Sequence, residues 1–239
     1  MMPAAGEMAR RIDHTLLAPE ATPDAVDTLC DEAHHYGFHA VCVAGTYVAR
    51  AAARLKSTRR NRGREIDGSP PTVVSVAGFP LGSSATEVKA EEARRALADG
   101  ATEIDMVVAL GALIAGDHAW VRRDIESLAR VVHGHVPSGI LKVILETAAL
   151  TREQIILGCR CCAEAEADFV KTSTGFHPAG GATVEHVRLL HRSAAPIKVK
   201  AAGGIRTAGQ ARAMLEAGAA RLGTSSSVAI MQELSLTGE

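Results

Sequence analysis

The stretch Ala167-Asp168-Phe169-Val170-Lys171-Thr172-Ser173-Thr174-Gly175 decides how this chain is read. Phe169 and Val170 are the apolar end of a short buried strand. Lys171 closes that strand, and Thr172 to Gly175 make a small, polar loop containing a glycine. The same arrangement recurs in Ile197-Lys198-Val199-Lys200, followed by Ala201-Ala202-Gly203-Gly204-Ile205-Arg206. Two lysines carried to the mouths of nearby strands repel each other. Repulsion and burial both favour the neutral amine of one of them, and a neutral amine near pH 7 is what a Schiff-base nucleophile needs.

Working outward, short β-type runs alternate with helical stretches rich in Ala, Glu and Arg. Strands are expected at 12–15, 39–43, 72–77, 103–108, 141–146, 169–171, 197–200 and 220–223. Helices are expected between them, among others at 23–36, 86–99, 118–133, 151–165, 183–193 and 208–217. Thr22-Pro23-Asp24 sets proline at a first helical position, and Thr151-Arg152-Glu153-Gln154 reads as a capping box. Gly37, Gly100 and Gly218 close helices before the next strand. Eight strands, each followed by a helix, predict a single parallel (β/α)8 TIM barrel spanning 1–239 as one domain. The rival doubly wound sheet is weakened because no GxGxxG follows an early strand. The segment 57–71, with Arg59, Arg60, Arg62 and Arg64, reads as a solvated loop on the N-terminal face of the barrel.

Composition narrows the function classes. The chain has 239 residues, of which 47% are hydrophobic but only 3% aromatic, so its core is built from Ala, Val, Leu and Ile. A net charge of −1 offers no basic excess for nucleic acid. The cysteines are Cys30, Cys42, Cys159, Cys161 and Cys162, an odd number without CxxC spacing, which reads as buried thiols rather than disulfides or a zinc knuckle. Residues 1–11 lack signal-peptide order, and no apolar run approaches about 20 residues. A soluble, cytoplasmic protein without membrane contact is expected. The ten histidines show no HExxH or HxH spacing, so no metal ligand set is expected.

A barrel presents its chemistry at strand C-termini. There the expected set is Asp13, Cys42, Asp105, Lys142, Lys171 and Lys200. A carboxylate among lysines can relay protons and keep one lysine charged while another is neutral. Asp105 admits a second reading as a structural ion pair with Lys142 or Lys200, since a charge inside an apolar strand needs a partner. Lys198 is read as structural, at the strand start. His14 should point away from the barrel interior by alternation. Gly203-Gly204 after the seventh strand, and Gly223-Thr224-Ser225-Ser226-Ser227 after the eighth, suit a phosphate, with Arg206 a nearby cation.

Several segments together resemble the deoxyribose-phosphate aldolase family of class I aldolases. They are Ile12-Asp-His-Thr-Leu-Leu, Glu103-Ile-Asp-Met-Val, Leu141-Lys-Val-Ile-Leu-Glu-Thr, Lys171-Thr-Ser-Thr-Gly-Phe and Val199-Lys-Ala-Ala-Gly-Gly-Ile-Arg-Thr. The resemblance runs from Ile12 to Met231. It implies a TIM barrel needing no cofactor and no metal. The implied reaction is reversible cleavage of 2-deoxy-D-ribose 5-phosphate to acetaldehyde and D-glyceraldehyde 3-phosphate, in deoxyribose phosphate catabolism. By matching, Lys171 forms the Schiff base, Asp105 transfers protons and Lys200 perturbs the nucleophile. Asp13, Cys42 and Lys142 fall on supporting positions, and Thr174, Gly175, Gly203, Gly204, Gly223, Ser225 and Ser226 on the substrate and phosphate shell. The implied partners are small sugar phosphates and aldehydes, with a homodimer as default assembly. The sequence departs from family pattern at His177 after Phe176, at Ala109, and in having no tyrosine after Tyr47. Two rivals share these features in part: a barrel aldolase acting on ketose phosphates, and a non-catalytic sugar-phosphate sensor.

Overall fold

The structure, a computed structural model, describes residues 5–61 and 69–236. In chain order the elements are α1 (Ala5–Ala9), β1 (Ile12–Leu16), α2 (Pro23–Tyr36), β2 (Ala40–Val43), α3 (Val48–Asn61), β3 (Thr72–Ala77), α4 (Thr86–Ala98) and β4 (Glu103–Val107). There follow α5 (Leu110–Ile114), α6 (His118–His133), β5 (Ile140–Ile144), α7 (Arg152–Glu164), β6 (Phe169–Lys171) and α8 (Val184–Ser193). The chain finishes with β7 (Lys198–Ala202), α9 (Ala208–Glu216), β8 (Arg221–Thr224) and α10 (Ser227–Leu236). All neighbouring strands pair in parallel, and β8 closes onto β1, so the sheet is a closed barrel in sequence order.

Helix starts follow the caps. Thr22, Thr151, Thr183 and Thr207 each accept a first-turn N–H, and both Thr151 and Thr207 complete capping boxes. Each such cap is worth about 1 kcal/mol. Gly37 ends α2 in the left-handed region at φ 71, where glycine meets no Cβ penalty. The main apolar core lies between the sheet and the helices, with Ile104, Leu141, Val143, Val170 and Val199 on the strands' outer faces. Cys30, Cys159, Cys161 and Cys162 sit in this layer as free thiols, and burial pushes Cys30 and Cys159 up to about 12. Among the described residues no helix is long and apolar enough to cross a membrane.

Three expectations change. The 57–71 loop starts later than expected, because α3 continues to Asn61; Arg62 and Arg64 lie outside the described residues. The strand expected at 141–146 is shifted to Ile140–Ile144, and Glu146 leaves it at φ 61, ψ 57. α3 and α10 supply the helices expected after β2 and β8, and α1 and α5 are additions.

Candidate active site

Alternation along each strand decides which side chains enter the barrel. It sends His14 outward, as expected, to Ser227 Oγ at 3.0 Å and Glu32 Oε2 at 2.8 Å. It sends Asp13, Asp105, Lys142, Lys171 and Lys200 inward, each almost fully buried. The interior is therefore a column of charge. Only Lys171 ends its strand; Asp13, Asp105, Lys142 and Lys200 sit within theirs. The expectation that all six lie at strand mouths is corrected accordingly: these four, with Cys42, form a floor beneath Lys171.

Asp105 is the hub. Its Oδ1 accepts from Lys142 Nζ at 2.8 Å, and its Oδ2 accepts from both Lys171 Nζ and Lys200 Nζ at 2.8 Å. The structural and chemical readings of Asp105 thus coincide in one contact set. Lys142 gains a second carboxylate, Glu103, at 2.6 Å. Lys200 gains Asp13, and Arg221 bonds Asp13 Oδ1 at 2.9 Å. Among the described residues, Lys171 has Asp105 alone.

That asymmetry governs ionisation. Burial, with the Lys200 ammonium adding to it, lowers Lys171 below the usual lysine range against the pull of Asp105. Burial acts on Lys200 in the same sense, but Asp105 and Asp13 overcome it and hold Lys200 above that range. Lys142 is raised likewise by Asp105 and Glu103 against burial. Burial alone would raise the Asp105 carboxyl, yet Lys142, Lys171 and Lys200 hold it well below its ordinary value. Cys42 is pushed up to about 11 by burial and by Asp105, so its thiol stays protonated. Four cations, Lys142, Lys171, Lys200 and Arg221, face three carboxylates, Asp13, Glu103 and Asp105. One neutral amine balances the set, and Lys171 is the lysine with the fewest counter-charges.

Above Lys171 opens a cavity of about 290 Å³. Lys171, Thr174, Gly175, Gly203, Gly204, Arg206, Gly223, Ser225 and Ser226 line it, while Asp13, Cys42 and Lys142 do not. Among the described residues, the N–H groups of Gly175, Gly204 and Ser225 meet no protein acceptor. Ser225 and Ser226 directly precede α10, where a helix start favours an anion. The Ser226 N–H is already given to Thr224 Oγ1 at 2.9 Å, which leaves that residue its hydroxyl. Gly223 serves first to make room: a Cβ there would lie 3.0 Å from Lys200 Cε. A larger apolar hollow of about 870 Å³ lies alongside and shares Leu17 and Phe176, but Lys171 is not on its wall.

Sequence reasoning missed Glu103 and Arg221 as members of the charge column, and Glu146 beside it. Glu103 shares a strand face with Asp105, a signal that was available. Arg221 opens a strand expected one residue earlier, so its face was not legible.

Fold and site together have the form of a barrel enzyme with a buried amine on the wall of its cavity. A family model described as DeoC/LacD family aldolase matches residues 8–233. The deoxyribose-phosphate aldolase of Thermococcus gammatolerans is 51% identical over 227 residues, covering 95% of this chain and 96% of that protein. The deoxyribose-phosphate aldolase of Brevibacillus brevis is 47% identical, covering 97% of this chain and 98% of that one. A solved deoxyribose phosphate aldolase from Aeropyrum pernix, described as a tetramer, superposes with a TM-score of 0.86 at 32% identity, covering 97% of this chain and 92% of that chain. The chain belongs to the DeoC/LacD family of aldolases.

Proposed function

We infer that this aldolase cleaves 2-deoxy-D-ribose 5-phosphate reversibly to acetaldehyde and D-glyceraldehyde 3-phosphate, with Lys171 as the nucleophile. The observation that carries the assignment is that, of the four buried lysines among the described residues, Lys171 alone lines the cavity, and it has a single carboxylate partner. The Lys171 amine adds to the C1 aldehyde, and loss of water leaves an iminium. The C3 hydroxyl gives up its proton, the C2–C3 bond breaks, and the bonding pair moves into the iminium to form an enamine. D-Glyceraldehyde 3-phosphate departs. The enamine carbon takes a proton, and water hydrolyses the resulting iminium to acetaldehyde and free amine.

Lys200 suits the role of proton donor because two carboxylates keep it charged. Asp105 bonds both amines at 2.8 Å and is the group through which a proton passes between them. The unpaired N–H groups of Gly175, Gly204 and Ser225 hold the phosphate. Holding it fixes C1 near Lys171, so remote binding energy is used at the reacting carbon. A homo-oligomer belongs to the same reading.

Borohydride reduction in the presence of acetaldehyde tests it. An ethyl adduct on Lys171, located by peptide mass mapping, is the expected result. An adduct on Lys142 or Lys200, or none, overturns the assignment, and efficient use of dihydroxyacetone phosphate as donor would favour a ketose-phosphate aldolase.

A further inference from the structure

We propose that Glu146 is a positioning residue that sets the phosphate wall of the cavity by anchoring Thr174; the inference rests on the substrate reading just given. Among the described residues, two other than glycine have positive φ, Glu146 at 61° and Glu166 at 57°. Glu166 lies where α7 turns toward β6, and helix ends often reverse hand. Glu146 instead follows a strand, where a residue with a side chain enters the left-handed region only if its surroundings over-determine it.

The surroundings do so through Thr174. The Glu146 carboxylate, 2% exposed, accepts the Thr174 hydroxyl at 2.6 Å and the Thr174 N–H at 3.2 Å. No ion pair to Glu146 occurs among the described residues. The Thr174 hydroxyl accepts in turn from the Phe176 N–H at 3.1 Å. The hydroxyl and the N–H of Thr174 are thereby committed to the protein. Thr174 is a strut, and the donor it leaves to a ligand is the N–H of Gly175 between the two bonded residues. A Cβ on Gly175 would sit 3.5 Å from Gly203 Cα, so the loop is also held from its other side. Glu146 thus fixes a cavity wall without touching the cavity.

Glu146→Gln keeps the shape but offers one acceptor oxygen to two donors. The ratio of kcat/KM for phosphorylated over non-phosphorylated 2-deoxyribose should fall about tenfold, the worth of one charge-assisted hydrogen bond, while acetaldehyde trapping at Lys171 stays within about twofold. Thr174→Val removes the hydroxyl and should lose the same ratio, and the double variant should lose little more, because the two residues act as one unit. Glu146→Gly suits the left-handed backbone, so it should recover stability without recovering the ratio. An unchanged ratio in Glu146→Gln, or equal losses with both sugars, overturns the proposal. Should that variant fail to fold, Thr174→Val decides alone by the same ratio. Absence of an adduct in the unaltered protein would count against Lys171 as nucleophile and not against Glu146.

Discussion

Lys171 differs from Lys142 and Lys200 by one missing carboxylate, and its chemistry follows from that difference. Lys200→Leu removes the neighbouring ammonium and frees Asp105 to act more strongly on Lys171. Both changes raise the Lys171 pKa. Activity that requires the neutral amine rises with pH through that pKa, so the acidic limb of the pH–rate profile should move to higher pH. An unmoved limb would remove Lys200 from the argument. At this scale the competition between lysines was legible, because strand ends and apolar flanks locate Lys171 and Lys200. Which lysine loses the proton came from the family resemblance and not from the spacing, since alternation gives the face of Glu103 and Asp13 but not their heights along the barrel axis.

Loops carry the binding geometry, and their glycines are not equivalent. Gly203, at φ 93, would bring a Cβ within 3.1 Å of Gly181 Cα and 3.3 Å of both Gly175 Cα and Ser173 Cβ. Gly204, at φ 80, would bring its Cβ against nothing within 4 Å. Gly204→Ala should therefore cost only its backbone conformation, about 1–2 kcal/mol. Gly203→Ala adds backbone crowding and should cost more, with a weaker hold on the phosphorylated sugar. Urea unfolding followed by circular dichroism compares them, and equal losses would mean that the close approach is unimportant. The Gly-Gly pair was visible in the sequence. Its unequal roles were not, because the segment that packs on Gly203, around Gly181, belongs to a different loop. The strands were legible to within a few residues for the same reason that β5 shifted: apolar runs mark burial, and ladder pairing decides where a strand stops.

For the whole molecule, the eight-fold alternation was readable because several helices, α2, α7, α8 and α9, begin at a threonine cap and most strands are short apolar runs. The content of the barrel was less so, since an ionic column defies the rule that cores are apolar. That column makes stability depend on pH. Asp13, Glu103 and Asp105 all ionise more readily in the fold than in a free chain, despite burial, because Lys200 and Lys142 face them. A lowered carboxylate contributes stability above its unfolded pKa and loses it as pH falls. Stability should therefore decline from about pH 5 downward, as the unfolded chain takes up protons that the fold refuses. Urea midpoints that stay level to pH 3 would show that the column contributes little. The closure of β8 onto β1 has a further consequence during synthesis. Asp13 emerges from the ribosome well before its partners, since Lys200 lies 187 positions later and Arg221 lies 208 later. The nascent chain must carry the first strand's charge unmatched until β7 and β8 have been translated, so the barrel can close only after its last strand has emerged.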